Sequence, residues 1–147
     1  MTETGQSPPS SIWPDELLAR FITNKDWILE KDQMIDHEAF LPPKDLQLSV
    51  TRHIGLSEPQ LNQIGRQVAE EVKRPNVGFF GRADVRVENI VAVKVNMQSP
   101  LKVECAPLPT NPHHAHVVGW PADKPSRRLC AMEIARTARF VPPPLIQ

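Results

Sequence analysis

Apolar and polar residues alternate most clearly at Leu46, Leu48 and Val50, set against Gln47, Ser49 and Thr51. That period of two predicts a strand over 46–52, with one face buried. A helix signal follows at once. Ser57 can cap, Gln60 three residues later can reach back to it, and Pro59 is tolerated in a first turn. Leu61, Ile64, Gly65, Val68 and Val72 then recur at helical spacing. Lys73 and Arg74 suit the C-terminal dipole, and Pro75 stops the helix.

Weaker patterns fill the rest. Trp13-Pro14-Asp15-Glu16 opens a short predicted helix, with Leu17, Leu18, Phe21 and Ile22 as its buried face. Asn24 to Asp45 reads as loop. Ala83, Val85 and Val87 alternate with charged residues and predict a strand over 82–87, entered through Gly81. Residues 89–97 fit either a strand or two helical turns. Leu101 to Cys105 and His114 to Gly119 read as further strands. Asp123 caps a last helix with Pro125 in its first turn, running to about Arg139.

This order predicts an α+β fold: one small mixed sheet of four to five strands with three helices packed on it. A chain of 147 residues suits one core. Residues 1–12 are polar and proline-containing and read as a flexible tail, 13–141 as a single domain, and 142–147 as a proline-rich C-terminal tail.

Net charge excludes no partner, since 17 basic residues balance 17 acidic ones. The distribution is split. Residues 1–45 hold nine acids and four bases, and 46–147 hold eight acids and thirteen bases. Either the two parts fold together or the basic side meets an anion. Two cysteines, Cys105 and Cys130, make no disulfide framework or zinc motif and suit a reducing compartment. No apolar run reaches membrane-spanning length, and the N-terminus lacks a secretory pattern. A cytoplasmic location follows as the expectation.

Chemistry concentrates at His113-His114-Ala115-His116, which holds three of the five histidines. On a strand, His114 and His116 share a face and can act as acid and base on one substrate. A solvated strand end with one hydrogen-bonded core histidine is the simpler explanation of the cluster. No neighbouring Cys, Asp or Glu completes a metal set locally, and His53, Asp84 or Glu104 would have to be brought in by folding, so no metal or cofactor is assigned. Arg52 falls on the inward side of its strand and must find a carboxylate, a carbonyl or a ligand. Arg82 shares a face with Asp84 and either pairs with it or grips an anion. Arg52 and Arg82 are the anion-clamp candidates. Arg128, Arg136 and Arg139 form a basic row on the last helix, spanning roughly 80° at about 100° per residue. No aromatic or glycine-rich module accompanies the row, so nucleic acid is not favoured. GxSxG, Walker, HExxH, CxxC and GxGxxG patterns are absent.

Leu48-Ser-Val-Thr-Arg52 with Gly55-Leu-Ser57, then Gly81-Arg-Ala-Asp-Val85, then Asn111-Pro-His-His-Ala-His-Val-Val-Gly-Trp-Pro121, resemble segments of a family of small uncharacterised bacterial proteins. The resemblance implies a bacterial-type, single-domain cytoplasmic protein and no activity. It draws attention to Arg52, Arg82 and His114.

Two functions fit. One is a binding or assembly subunit that works on a protein partner in a bacterial multi-protein system. The other is a small enzyme for a phosphorylated or nucleotide-like substrate, with His114 and His116 as acid and base and Arg52 and Arg82 as clamp. The sequence leaves open whether the chain is catalytic.

Overall fold

The structure is a computed structural model, and it describes residues 8–29, 34–72, 74, 76–95 and 99–144. Among these, eight strands and three α-helices alternate with two short 3-10 turns. The strands are β1 (Leu17–Phe21), β2 (Ile28–Leu29), β3 (Met34–Ile35), β4 (Leu48–Arg52), β5 (Arg82–Arg86), β6 (Lys102–Cys105), β7 (His114–Val118) and β8 (Arg139–Val141). The helices are α1 (Glu58–Glu71), α2 (Val87–Val91) and α3 (Lys124–Thr137). Six strands form one sheet in the order β6-β7-β4-β1-β5-β8, and β2 pairs with β3 separately.

The fold is therefore α+β as expected, with corrections. The large sheet is not mixed, because every neighbouring pair in it is antiparallel. It has six strands rather than four to five. One of the extra strands comes from residues 17–21, which the sequence presents as a helix. They form β1 in the middle of the sheet, between β4 and β5. A strand covered on both faces carries apolar residues at successive positions, so its alternation is lost. Leu18 and Ile22 enter the larger core, while Ala19 and Phe21 enter a second cluster on the other face. The other extra strand is β8. The last helix ends at Thr137, Ala138 is extended, and Phe140 pairs with Ala83. Arg139 thus leaves the helical row predicted for it.

The two long helices form where the sequence places them. Ser57 and Gln60 close the reciprocal capping box of α1, and Asp123 caps α3 through the Ser126 N–H. The expected stop at Lys73 and Pro75 lies outside the described residues. Residues 87–91 take the helical alternative as α2, while Asn96 and Met97 of the ambiguous stretch are not described. Of the 24–45 loop, parts become the β2–β3 pair and the 3-10 turns Lys25–Trp27 and His37–Phe40.

α3, α2 and the second 3-10 turn cover one sheet face. There Cys130, Ala131, Ile134 and Ala135 meet Leu18, Val50, Val85, Ala115 and Val117. α1 covers the other face through Leu61, Ile64 and Val68, against Ala19 and Phe21. Each fully buried aliphatic side chain contributes about 1.5–3 kcal/mol. Gly81 has φ +116°, and a Cβ there would lie 2.5 Å from the Val141 carbonyl oxygen, so only glycine lets β8 close on β5.

Candidate functional site

Strand register separates the residues expected to act together. Arg52 sits opposite Leu18 and so projects to the α3 face. Arg82 sits opposite Phe21, and His114 opposite Thr51, which is itself in line with Ala19. Arg82, His114 and His116 therefore share the α1 face, and Arg52 points away from them.

Arg52 is only 1% exposed. Its Nε and Nη2 donate to the two Glu16 carboxylate oxygens at 2.8 and 2.9 Å. Its remaining N–H groups reach the Pro9 carbonyl at 2.6 Å, the Ser11 carbonyl at 3.2 Å and the Cys105 sulfur at 3.5 Å. Residues 9–11 of the expected N-terminal tail thus close over the ion pair. Burial alone would raise the Glu16 carboxyl. The hydrogen bonds from Arg52 and the Trp13 N–H, with the Arg52 charge, outweigh it and hold the group low.

Arg82 is also spoken for. Its Nε donates to Asp84 Oδ1 at 2.9 Å, and its Nη2 to both Glu58 oxygens at 3.0 and 2.8 Å. His53 Nε2 donates to the same Asp84 oxygen at 2.8 Å. Burial pushes Asp84 up, but hydrogen bonds from His53 and Arg82 bring it below its usual range. Burial likewise disfavours the Arg82 cation, yet Asp84 and Glu58 raise its pKa overall.

His114 and His116 do meet. Their rings stand edge to face with centroids 4.7 Å apart. His114 Nδ1 lies 2.8 Å from the Ala106 carbonyl, which can only accept, so Nδ1 carries the proton. In the neutral ring, Nε2 is then a bare acceptor. Burial and the neighbouring His116 lower the His114 pKa more than that hydrogen bond raises it. His113 is buried on the opposite face, its pKa lowered by burial and by the Arg52 charge despite a hydrogen bond to Ile54.

His114 lines a groove of about 370 Å³. The groove exists because β1 and β4 part. They pair at Leu18–Arg52 and Ala19–Thr51, and the ladder stops there, while β1 continues along β5 to Phe21–Arg82. Arg20 takes up the carbonyl this leaves open: its Nη1 donates to Ser49 O at 3.1 Å and its Nε to Ala39 O at 2.7 Å. Its guanidinium stands 5.5 Å from the Trp27 ring centre. Burial pushes the Arg20 pKa down to about 10, which leaves it a cation at neutral pH. Ile64 and Val68 of α1, with Val72 just past its end, form one wall, with Leu108 and Asn111 among the residues of the other. Neither Arg52, Arg82 nor His116 lines it.

Sequence reasoning missed Arg20 because the helix predicted to open at Trp13–Glu16 hid it. The Leu18, Arg20, Ile22 spacing was the available signal, since a strand sets all three on one face. Among the described residues no three His, Cys, Asp or Glu side chains form a metal-holding group, and no helix is long and apolar enough to cross a membrane.

A second surface lies on α3. Its inner side is packed, yet Leu129 and Met132 on its outer side are 47% and 46% exposed. They are neighbours at i, i+3, and Arg136, bound to Glu133, stands beside them. Leu29 and Met34, cross-strand partners on β2–β3, are exposed to a similar degree. No family model matches this chain, and no curated protein or solved structure matches it.

Proposed function

We propose that this chain is a binding subunit that joins a multi-protein assembly through the outer side of α3. The observation that carries this reading is the apolar pair Leu129 and Met132 on a helix whose other side is already packed. A surface helix ordinarily has one apolar stripe, facing the core. Methionine adapts to partner shape and is enriched at interfaces. Arg128 flanks the pair, while Arg136 already binds Glu133, so the partner presents apolar side chains with an acidic neighbour for Arg128. Free thiols at Cys105 and Cys130 suit the cytoplasmic setting of this proposal.

The enzyme alternative asks Arg52, Arg82, His114 and His116 to act on one phosphorylated or nucleotide-like substrate. Strand register sets Arg52 on the opposite face from the other three, and both arginines are neutralised by carboxylates of their own chain. The binding reading is favoured for that reason.

Affinity capture from the native cell tests the proposal. Wild-type protein should retain a stoichiometric protein partner. The Leu129→Glu/Met132→Glu double variant should lose it while keeping its circular dichroism and melting temperature. Retention by the folded variant would overturn the α3 assignment. A wild type that captures no protein but turns over a phosphorylated metabolite would favour the enzyme.

A further inference from the structure

We propose that the groove between α1 and residues 108–111 binds a small amphipathic monocarboxylate, its carboxylate on Arg20 and its apolar body along α1. The groove runs along α1 and meets Arg20, which projects to the α3 side with Leu18 and Ile22, at the opening where β1 and β4 part; it does not depend on the outer side of α3.

Arg20 differs from the two arginines buried deepest in the fold. Arg52 has Glu16, and Arg82 has Asp84 and Glu58, but among the described residues no carboxylate lies within ion-pair distance of Arg20. Its partners are two carbonyls and an aromatic face. No buried side-chain nitrogen among the described residues is left without a hydrogen bond. The N–H groups that Arg20 does not use therefore reach open space, and Arg20 lines the groove. A half-buried guanidinium without a counter-charge is costly, and a ligand carboxylate supplies both charge and a planar acceptor.

The walls set the rest of the ligand. Ile64 and Val68 are helical neighbours at four-residue spacing, and Val72, extended just past the helix end, adds to the apolar wall, with Leu108 among the residues across from it. Glu71 and Arg74 lie exposed at the rim, of opposite sign and screened by solvent. Arg20 is thus the one partly buried cation without a carboxylate partner that the described lining provides. A dianion would carry a second charge into a desolvated cleft without a partner. His114 offers a bare Nε2 lone pair, which repels a carboxylate and suits a ligand N–H or O–H. The carboxylate therefore belongs at the Arg20 end. A volume of about 370 Å³ holds a small molecule, at the low end of the range of about 300–1,000 Å³ for ligand pockets.

The test uses the full chain, 15N-labelled, titrated with octanoate, octanamide and the dianion suberate. Octanoate should shift the amides of Ser49, Val68, Asn111 and His114 saturably. Octanamide and suberate should each bind at least about tenfold more weakly, as expected from loss of a charge-assisted pair or from burial of an unmatched charge. Arg20→Met should abolish the preference for octanoate over octanamide. Should that variant fail to fold, Glu71→Lys, on the exposed rim, decides: it should tighten octanoate a few-fold at low salt and leave octanamide unchanged. Shifts confined to other surfaces, equal binding of octanamide and octanoate, or no response of octanoate affinity to Glu71→Lys would each overturn the proposal.

Discussion

Arg52 and Glu16 meet fork to fork inside the protein, two parallel N–H···O bonds of 2.8 and 2.9 Å joining residues 36 positions apart in the chain. The pair ties the start of β1 to the end of β4, and the carbonyls of Pro9 and Ser11 complete the guanidinium's hydrogen bonds. Breaking it from one side leaves a buried charge unmatched. Arg52→Met should cost about 3–5 kcal/mol in urea unfolding. Arg52→Met combined with Glu16→Gln should cost clearly less than the single change, because no bare charge remains. A double variant as unstable as the single one would assign the loss to the carbonyl contacts instead.

Arg82 offers an internal comparison, since it binds two carboxylates of different exposure. Asp84 is nearly buried, whereas the Glu58 side chain is 64% exposed. Asp84→Asn should destabilise by about 1.5–3 kcal/mol, the range for hydrogen bonds to a charged group. Glu58→Gln should stay within about 1 kcal/mol, since solvent screens its charge. Equal effects in chemical denaturation would contradict this ranking.

Stability should fall as the solution is acidified from neutrality. His113 and His114 both have folded pKa values below their ordinary value of 6.5. The unfolded chain therefore binds protons that the native state refuses. Their contribution is fully present above the unfolded value and is lost as pH falls below it. Glu16 and Asp84 act at lower pH. Their folded pKa values lie below 4.5 and 3.8, so their contribution disappears only as pH drops through those depressed values. Urea midpoints should decline between pH 7.5 and 5.5, and His114→Gln should flatten that decline. A midpoint independent of pH over this interval would contradict the assignment.

Gly65 on α1 is buried against two aromatic rings. A Cβ there would sit 2.4 Å from a Phe79 ring carbon and 2.9 Å from one of Phe21. Helix propensity alone favours alanine by about 1 kcal/mol. Overpacking costs typically about 1–3 kcal/mol, so Gly65→Ala should be net destabilising in thermal melts. A raised melting temperature would show that both rings move aside freely.

Local chemistry wrote several elements directly into the chain. Ser57 with Gln60 sets the start of α1, Asp123 that of α3, and the Leu48/Val50 alternation gives β4 its inward face, Arg52 included. Each depends on residues within a few positions of one another, where backbone geometry alone decides who meets whom. Antiparallel pairing and the choice of partners depended on the whole fold. Residues 17–21 became a strand because helices pack on both sides of them, and that cover erases the alternation a strand otherwise shows. Arg52 was legible as an inward arginine, but its carboxylate lies across the sheet and could not be named. Arg20 acquired its place only when β1 and β4 parted, since a gap between strands belongs to no single stretch of sequence.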